Sequence, residues 1–380
     1  MKIAIDARFF GTGTGIGRYV EQLVLNLEKI VEEIGQSGGS LKNQYFILIN
    51  QENKDKYQPN NLNFKKIIVD IPWYGLAEQI KIPRILNKIK PNLVHFPHFN
   101  VPLFCKYPFI VSIHDLILTK YPSQRASTLS PLKYFLKNLF YRLVIKRAIQ
   151  KSHAIITMAD FTKNEIVDKF KVAEKKVKVV YEGVTKLEDN NVEIDFKKYG
   201  IEKKFVLYVG NAYPHKNLEF LIQAFSDFKE DYQLVLIGKR DYFYQRLAKL
   251  IQDLGLEKKV ILTGYISDEK LAEFYKNAQA YIFPSLSEGF GLPPLEALQF
   301  KLPVLSSNYS CLPEILEDAV LYFNPQDQAD FLEKLNKIIN DQELRGKLII
   351  NSQKLFLKYD WQKTAKETLK IYSSIFQKDN

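Results

Sequence analysis

Two stretches of the chain have the same local pattern: a β-strand, then a loop, then an amphipathic helix. The first runs from the alternating segment MKIAIDARFF through GTGTGIG into a helix with Val20, Leu23, Leu27 and Ile30 at helical spacing. The second begins near residue 203, with KKFVLYVG, the loop NAYPHKN and LEFLIQAFSDF. Because doubly wound α/β domains begin in this way, the repetition predicts two of them.

Eleven further short apolar runs lie between and after these two units. Many are uniformly apolar, as is typical of parallel strands covered on both faces. They are YFILIN, KKIIVDI, PNLVHF, FIVSIHDL, HAIITM, KVKVVYEGV, YQLVLIG, VILTGYI, AQAYIFPS, LPVLSS and AVLYF. A length of 380 residues suits two domains. We expect an α/β fold with one domain over residues 1–184 and the other over 185–360, because the polar stretch 186–200 is the natural linker.

The charge is distributed unevenly between the two halves. Residues 1–184 hold 28 Lys and Arg against 15 Asp and Glu, a net charge of +13, whereas residues 185–380 hold 26 against 28, a net charge of −2. The surplus permits nucleic acid, an anionic membrane or a phosphorylated substrate as partner. Only two cysteines occur, with no signal-peptide core and no apolar run of membrane-spanning length. We expect a cytoplasmic protein that at most lies on a membrane.

The first glycine loop, residues 11–17, does not have a dinucleotide-binding spacing. No G-x-G-x-x-G and no GK[ST] can be read from it. It leaves main-chain amides at a helix start, which suits a phosphate or a polar ligand. The alternative is a glycine-rich turn with no ligand.

The segment SEGFGLPPLEAL, residues 287–298, is the most specific in the chain. A strand ends just before it and prolines open a helix, so Glu288 lies on the loop and Glu296 in the first helical turns. Two carboxylates beside a cluster of amides can hold hydroxyl groups on both sides of a diphosphate, as in a nucleotide sugar. The alternative is that Glu296 only stabilises the helix start and Glu288 is solvated.

Lys216, in the loop NAYPHKN, supplies a cation at the start of the second unit's helix. A diphosphate leaving group gathers negative charge, which a lysine beside a helix N-terminus stabilises. The alternative is an ordinary solvated lysine.

Three histidines, His95, His98 and His114, follow two predicted strands, and Asp115 adjoins the last of them. A metal site is one alternative, but Cys105 lies in a different loop and no standard zinc spacing results. We expect these residues to line a site for a polyhydroxyl acceptor at the carboxyl ends of the strands. For His95 a place in the core is the alternative.

Residues 123–152 hold seven basic residues and no acidic one. Lys133, Lys137, Arg147 and Lys151 fall on one helical face, with aromatic residues interleaved. Such a face attracts an anionic membrane or a lipid-linked phosphate. A solvated face on a packed helix is the alternative.

Along its whole length the chain resembles the retaining glycosyltransferases of GT-B fold, family four, also called group 1. The strongest element is E-x7-E, from Glu288 to Glu296. The resemblance implies two Rossmann-like domains facing a cleft and a C-terminal helix, 361–380, that packs back on the first domain. For the donor it implies sugar contacts from Glu288, Gly289, Phe290, Gly291 and Leu292, a ribose contact from Glu296, and a diphosphate contact from Lys216. It also implies that His114 lies near the donor sugar and that Gly15, Ile16 and Gly17 face the diphosphate and the acceptor.

One departure from the family pattern concerns the diphosphate. Many members carry arginine where this chain has Asn211, so binding would depend more on Lys216, unless His215 or another residue compensates. No D-x-D pair occurs, and the family mechanism needs no metal or other cofactor. In that mechanism the departing phosphate accepts the acceptor's proton at the front face, so neither glutamate is assigned as nucleophile or base.

The sequences of the segments YVGNAYPHKN and HFPHFNVP most resemble those of bacterial mannosyltransferases of O-antigen synthesis. We therefore expect transfer of mannose from GDP-mannose to a glycan or lipid-linked acceptor, with catalysis by His114, Lys216 and Glu288. Donors carrying UDP, dTDP or ADP remain alternatives, as does a nucleotide-sugar epimerase. The remaining alternative is a basic protein without enzymatic activity that binds glycan or nucleic acid.

Overall fold

The computed structural model describes residues 1–37, 43–120, 130–189 and 191–376, without the side chains of 131–134. The chain divides into two compact units. The first consists of Met1–Thr119, Pro131–Gly183 and the residues from Tyr359 onward, and the second contains Val184–Lys358. The C-terminal end of the chain is therefore part of the unit with which the chain begins.

The first unit is built on a seven-stranded parallel sheet in the order β3-β2-β1-β4-β5-β6-β7. Its strands are β1 (Lys2–Ile5), β2 (Gln44–Asn50), β3 (Phe64–Val69), β4 (Leu93–Phe96), β5 (Phe109–Ser112), β6 (Ala154–Thr157) and β7 (Val177–Val179). Its helices are α1 (Gly15–Gln36), α2 (Leu76–Ile89), α3 (Ile117–Lys120), α4 (Pro131–Lys151) and α5 (Asp160–Phe170), with α13 (Trp361–Phe376) from the end of the chain. The inner strands β4, β5 and β6 are buried at every residue, which explains their uniformly apolar sequences.

The second unit has a six-stranded parallel sheet in the order β10-β9-β8-β11-β12-β13. Its strands are β8 (Lys204–Val209), β9 (Tyr232–Ile237), β10 (Val260–Gly264), β11 (Tyr281–Phe283), β12 (Val304–Ser307) and β13 (Leu321–Phe323). Its helices are α6 (Leu218–Ser226), α7 (Tyr242–Asp253), α8 (Asp268–Asn277), α9 (Leu292–Gln299), α10 (Leu312–Leu316), α11 (Gln328–Asn340) and α12 (Gln342–Phe356). Every strand in the described residues falls in a predicted apolar segment, so two doubly wound parallel sheets are confirmed.

Helix α13 closes the first unit by packing on α1. Trp361, Ala365 and Tyr372 are buried, as its apolar stripe predicted, whereas Leu369 and Phe376 are only half-buried. The Thr364 hydroxyl donates to the carbonyl of Tyr181 at 2.7 Å, which ties the start of the helix to the chain just beyond β7. The predicted helix bounds 361–376 are confirmed, and residues 377–380 lie outside the described part.

Helix α4 carries part of the predicted basic face. Lys137 and Lys151 are exposed and Arg147 is half-buried, while Lys133 and residues 123–129 lie outside what is described. Four large apolar side chains on the same helix are also exposed: Phe135, Leu136, Leu139 and Leu143. The helix therefore presents both basic and apolar side chains at its surface.

Candidate functional site

Each sheet has one switch point, between the two strands from which the strand order runs in opposite directions. The pair is β1 and β4 in the first unit, and β8 and β11 in the second. Right-handed crossovers send the following helices to opposite faces, so the loops after such a pair diverge and leave a crevice where ligands bind. The predicted glycine loop and His98 follow the first pair, and Lys216 and Glu288 follow the second.

In the second unit the structure brings Lys216 and Glu288 into direct contact. Lys216 Nζ lies 2.7 Å from Glu288 Oε1, and the two side chains are 12% and 10% exposed. The ammonium group also lies 5.4 Å from the ring centroid of Phe283, within cation–π range. The Leu286 amide donates to the His215 carbonyl at 2.8 Å, which joins the two loops. The lysine predicted for diphosphate and the glutamate predicted for sugar are thus one ion pair.

The main chain of Glu288 is held by the loop that precedes α10. Its amide donates to the Ser310 hydroxyl at 3.1 Å, and that hydroxyl donates to the Glu288 carbonyl at 3.0 Å. The Cys311 thiol also donates to this carbonyl, at 3.3 Å. The loop backbone is therefore fixed by protein contacts, and the carboxylate is the part of Glu288 that can exchange partners.

Helix α9 begins directly after Gly291, whose φ of 101° lies in the left-handed region. A Cβ there would lie 3.0 Å from Cδ2 of Leu312, so packing as well as conformation favours glycine. Glu296, one turn into α9, is buried with 6% exposure. The E-x7-E pattern therefore places its first glutamate on a loop and its second in a helix, as predicted.

The residues between these glutamates differ in exposure. The side chain of Phe290 is buried, so that residue has only its main chain to offer a ligand. Gly289 and Leu292 are half-buried. The predicted donor contacts of this segment are therefore contacts from main-chain groups and from the two carboxylates.

The loop after β8 contains Asn211, which replaces the family arginine. Its side chain accepts a long 3.4 Å hydrogen bond from the Tyr213 amide. Nearby, burial and the charge of Lys216 lower the pKa of His215 to about 4, although Glu288 opposes them. His215 is therefore neutral near pH 7 and does not supply the missing positive charge.

A second basic loop lies against the Asn211 loop. A Cβ on Gly238 would lie 2.2 Å from the carbonyl oxygen of Gly210, so the two backbones are in contact. The next two residues, Lys239 and Arg240, are exposed, and Arg240 Nη2 donates to the carbonyl of Leu262 at 3.1 Å. Sequence reasoning missed these cations, because the adjacency of β8 and β9 is a tertiary feature.

In the first unit the predicted phosphate loop is partly used by the fold itself. Thr14 caps α1 by accepting from the Gly17 amide at 3.0 Å. A Cβ on Gly17 would lie 2.8 Å from the Phe9 carbonyl oxygen, whereas one on Gly15 would meet nothing within 4 Å. Gly15 is exposed and Ile16 is half-buried. Gly17 is therefore required for packing, while the accessible part of the loop is at Gly15 and Ile16.

His114 is held through both ring nitrogens. Nδ1 lies 3.2 Å from Glu182 Oε1, and Nε2 lies 2.9 Å from the carbonyl oxygen of Pro97. Burial alone would lower its pKa, but the hydrogen bond and charge of Glu182, together with Pro97 and Asp115, raise it above the ordinary value. With an acceptor oxygen facing each nitrogen, the surroundings favour the protonated form of the imidazole, which can stabilise negative charge.

His95 lies in the core. It is 0% exposed, and its two nitrogens lie 2.7 Å from the Tyr372 hydroxyl and 2.9 Å from the Ser112 hydroxyl. It therefore joins β4, β5 and α13. The expectation that His95 lines an acceptor site is wrong, because a strand residue between two covered faces has no route to a ligand.

Asp115 is half-buried, and its carboxylate accepts from the Ile117 amide at 2.8 Å, where the short helix α3 begins. This contact gives Asp115 a structural task. The prediction that it also faces an acceptor stays a prediction.

His98 belongs to a buried polar network that sequence reasoning missed. The guanidinium of Arg8 forms two 2.7 Å bonds with Asp6 and also contacts Glu78. Asn100 Nδ2 donates to Glu78 Oε1 at 2.5 Å, and Asn100 Oδ1 lies 2.8 Å from His98 Nδ1. The charged pair D-x-R directly after β1 was the available signal, because charged residues at the end of a buried strand require partners.

The described residues contain no group of three or more His, Cys, Asp or Glu side chains that could hold a metal ion. Within the same residues no helix has the length and apolar character needed to cross a bilayer.

The chain thus has two doubly wound parallel sheets, and in the second unit a lysine–glutamate pair lies on the loops that follow the switch-point strands. Two family models match the chain, "Glycosyltransferase Family 4" over residues 50–186 and "Glycosyl transferases group 1" over residues 191–355. The chain belongs to the group 1 glycosyltransferases of the GT-B fold, and it is a glycosyltransferase.

Curated relatives include two bacterial O-antigen enzymes. The O-antigen chain mannosyltransferase B of Escherichia coli is 26% identical over 94% of this chain and 96% of its own length. The O-antigen chain mannosyltransferase RfbU of Salmonella typhimurium is 26% identical over 70% of each chain. The resemblance to bacterial mannosyltransferases is thereby confirmed.

Solved structures show the same fold. The sucrose-phosphate synthase of Thermosynechococcus elongatus superposes with a TM-score of 0.76 at 19% identity and covers 99% of both chains. HepE of Anabaena, solved in complex with UDP and glucose, has a TM-score of 0.71 at 16% identity and covers 98% of this chain and 100% of its own.

Proposed function

We propose that the protein transfers mannose from GDP-mannose to a glycan or lipid-linked acceptor in the synthesis of a cell-surface polysaccharide. The ion pair between Lys216 and Glu288 carries the proposal, because each partner is a group that one half of a nucleotide sugar requires. A diphosphate would replace Glu288 as the partner of the Lys216 ammonium group. The released carboxylate of Glu288 could then accept hydrogen bonds from sugar hydroxyls. The mannosyl specificity is supported by the O-antigen mannosyltransferases among the relatives.

We further propose that the reaction retains the anomeric configuration and uses no metal. The bond between the anomeric carbon and the phosphate oxygen breaks, the acceptor hydroxyl oxygen bonds to that carbon from the same face, and its proton passes to the departing phosphate. Lys216 and main-chain amides would stabilise the leaving diphosphate electrostatically. An unchanged rate after treatment with EDTA is expected, and a loss that Mg²⁺ restores would contradict it.

The first experiment is a thermal-shift panel of GDP-mannose with UDP-, dTDP- and ADP-sugars. A ligand that binds only the folded state raises Tm by mass action. We expect GDP-mannose to give the largest shift. A response to UDP-sugars alone would indicate that the donor is a UDP-sugar and not GDP-mannose. No response to any nucleotide sugar would contradict the donor site.

The second experiment uses Lys216→Ala and Glu296→Ala. Loss of a group that stabilises leaving charge costs about 100-fold or more in turnover, so we expect at least that decrease for Lys216→Ala. Glu296→Ala is expected to weaken nucleotide binding as well as transfer. Lys249→Ala, which changes an exposed lysine of the same unit, is the matched control. Near-normal turnover in both site variants would refute the site assignment.

We also propose that the protein works at the cytoplasmic face of a membrane, with α4 on the lipid surface. The support is the combination of exposed Phe135, Leu136, Leu139 and Leu143 with the basic residues of that helix. Replacing Lys137, Arg147 and Lys151 by glutamate should weaken sedimentation with vesicles containing anionic lipid. The thermal shift with nucleotide sugar should persist. Unchanged sedimentation would indicate that α4 is a solvated helix that does not bind lipid.

A further inference from the structure

The first unit has a cluster of aromatic rings at the carboxyl ends of β1, β3 and β4. Trp73 stacks on Phe9 with ring centroids 4.7 Å apart and an interplanar angle of 16°. Phe9 also meets the ring of His98 at 5.3 Å, and Tyr74 meets it at 5.9 Å. Tyr74 is 46% exposed, so the cluster reaches the surface.

One polar atom of this cluster lacks a partner. The indole Nε1 of Trp73 is buried, and none of the described residues accepts a hydrogen bond from it. A buried donor without a partner destabilises the folded chain. Because an indole N–H can only donate, a ligand that pairs with it must offer an acceptor atom with a lone pair, such as an oxygen. The next residue is fixed, since the Tyr74 amide donates to Glu78 Oε2 at 3.1 Å.

His98 offers the complementary group. Asn100 gives its Nδ2 to the carboxylate of Glu78, so Asn100 Oδ1 must accept from Nδ1 of His98. That bond places the proton on Nδ1 and leaves a lone pair on Nε2. Within the described chain no hydrogen bond occupies Nε2, although His98 is only 8% exposed. Burial, together with the charge of His114, lowers the pKa of His98 to about 3, so the ring stays neutral near pH 7.

The orientation of His98 depends on Arg8. Its guanidinium holds Asp6 and Glu78, and Glu78 in turn holds Asn100. Arg8 is 0% exposed and also donates to the carbonyl of Ile71 at 3.3 Å. The network is therefore rigid, and it fixes which edge of the imidazole faces outward.

We propose that this cluster binds one sugar ring of the acceptor, with Trp73 Nε1 donating to one hydroxyl oxygen and His98 Nε2 accepting from another hydroxyl. This inference rests on the proposed function, because it assigns the acceptor of the same reaction. A sugar ring combines hydroxyls that both donate and accept with an apolar C–H face that packs on Tyr74 and Phe9. A fully ionised phosphate has no proton to give to His98 Nε2. Trp73 and His98 are thus acceptor-binding residues, and Asn100 is a positioning residue.

The test uses protein labelled with 5-fluorotryptophan. The chain has two tryptophans, Trp73 and the buried Trp361, so the ¹⁹F spectrum has two signals, and Trp73→Phe assigns them. The probes are octyl α-mannoside, octyl β-glucoside, octyl β-galactoside and octyl N-acetyl-β-glucosaminide at millimolar concentration. We expect a saturable shift of the Trp73 signal, with the Trp361 signal unchanged, for at least one probe.

His98→Ala is expected to weaken binding of that probe at least tenfold, because the substitution removes the acceptor atom Nε2. Asn100→Ala should weaken it as well and should let the His98 proton move to Nε2, which ¹⁵N spectra of the imidazole report directly. If Asn100 served only for packing, its removal would not change the tautomer of His98. Circular dichroism and Tm identify any variant that is unfolded, and the labelled parent protein still decides the question without variants.

The inference would be overturned if none of the four probes shifted the Trp73 signal. It would also be overturned if His98 in the parent protein carried its proton on Nε2. A response to GDP-mannose in thermal shift with a silent Trp73 would refute this subsite and leave the proposed function intact. No response to any nucleotide sugar would refute the proposed function, whatever Trp73 does.

Discussion

The two units use charge at their switch points in opposite ways. In the first, Arg8 is fully buried and is held by two carboxylates and a main-chain carbonyl. In the second, Lys216 has one carboxylate partner, Glu288, and both side chains are partly exposed. The same strand order therefore supports a fixed network in one sheet and an exchangeable pair in the other.

The difference follows from the cost of moving charge out of water. A buried ion whose partner is removed keeps its desolvation penalty, so Arg8 cannot release a carboxylate cheaply. A pair that reaches solvent can exchange one partner for a ligand, since water or a phosphate oxygen replaces the lost bond. The first network is thus suited to orienting neighbours such as Asn100, and the second pair to binding.

The largest expected effect comes from Glu78→Ala. It leaves the Arg8 guanidinium buried without one of its carboxylates, which costs about 3–5 kcal/mol in the free energy of unfolding. Urea denaturation measures this. Glu288→Ala should cost less, because Lys216 and Glu288 keep some contact with solvent whereas Arg8 has none. Equal losses in the two variants would erase the distinction between fixed and exchangeable charge.

The second effect separates two glycines of the loop before α1. Gly17→Ala brings a Cβ into the Phe9 carbonyl and should cost about 1–3 kcal/mol in the free energy of unfolding. Gly15→Ala, with open space at its Cβ, is the matched control and should leave stability nearly unchanged. A Gly15→Ala variant as unstable as Gly17→Ala would show that the accessible part of the loop is also structural.

A smaller effect tests the basic loop beside Asn211. The double variant Lys239→Ala and Arg240→Ala should weaken GDP binding about tenfold, equivalent to about 1.4 kcal/mol, if these cations replace the family arginine. Isothermal titration calorimetry measures the change, with Lys249→Ala as control. Unaltered affinity would leave Lys216 as the main cation for the diphosphate.

The smallest effect concerns pH. The raised pKa of His114 means that its protonated form adds stability below the ordinary histidine pKa of about 6.5, and that this stability is lost as pH rises through the folded value. Glu182→Gln removes the main cause of the raised pKa of His114, so the stability advantage of the parent protein over this variant should shrink as pH rises above about 6.5. The lowered pKa values of His95, His98 and His215 give the opposite slope around and below that pH, but they are present in both proteins and cancel in the difference. A difference that stays constant with pH would contradict the raised pKa of His114.

Most of the fold was readable in the sequence because parallel strands buried on both faces need uniformly apolar residues. The segments FIVS and AIIT, which become β5 and β6, are examples. The candidate donor site was also readable, since Glu288, Gly291 and Glu296 belong to one contiguous motif. The roles of the histidines were not: His95 and His98 are both buried, yet His95 lies within β4 with both ring nitrogens bonded, whereas His98 follows the strand.

The sequence by itself determined two parallel α/β units, the helix starts and the glutamate pair, because these depend on local periodicity and spacing. Only the tertiary structure decided that Lys216 meets Glu288, 72 residues away, and that Arg8 meets Glu78, 70 residues away. Such contacts depend on which strands become neighbours in a sheet, and no local pattern encodes that. The physical reason is that a charged group's partner is set by the sheet order, whereas its need for a partner is set by burial.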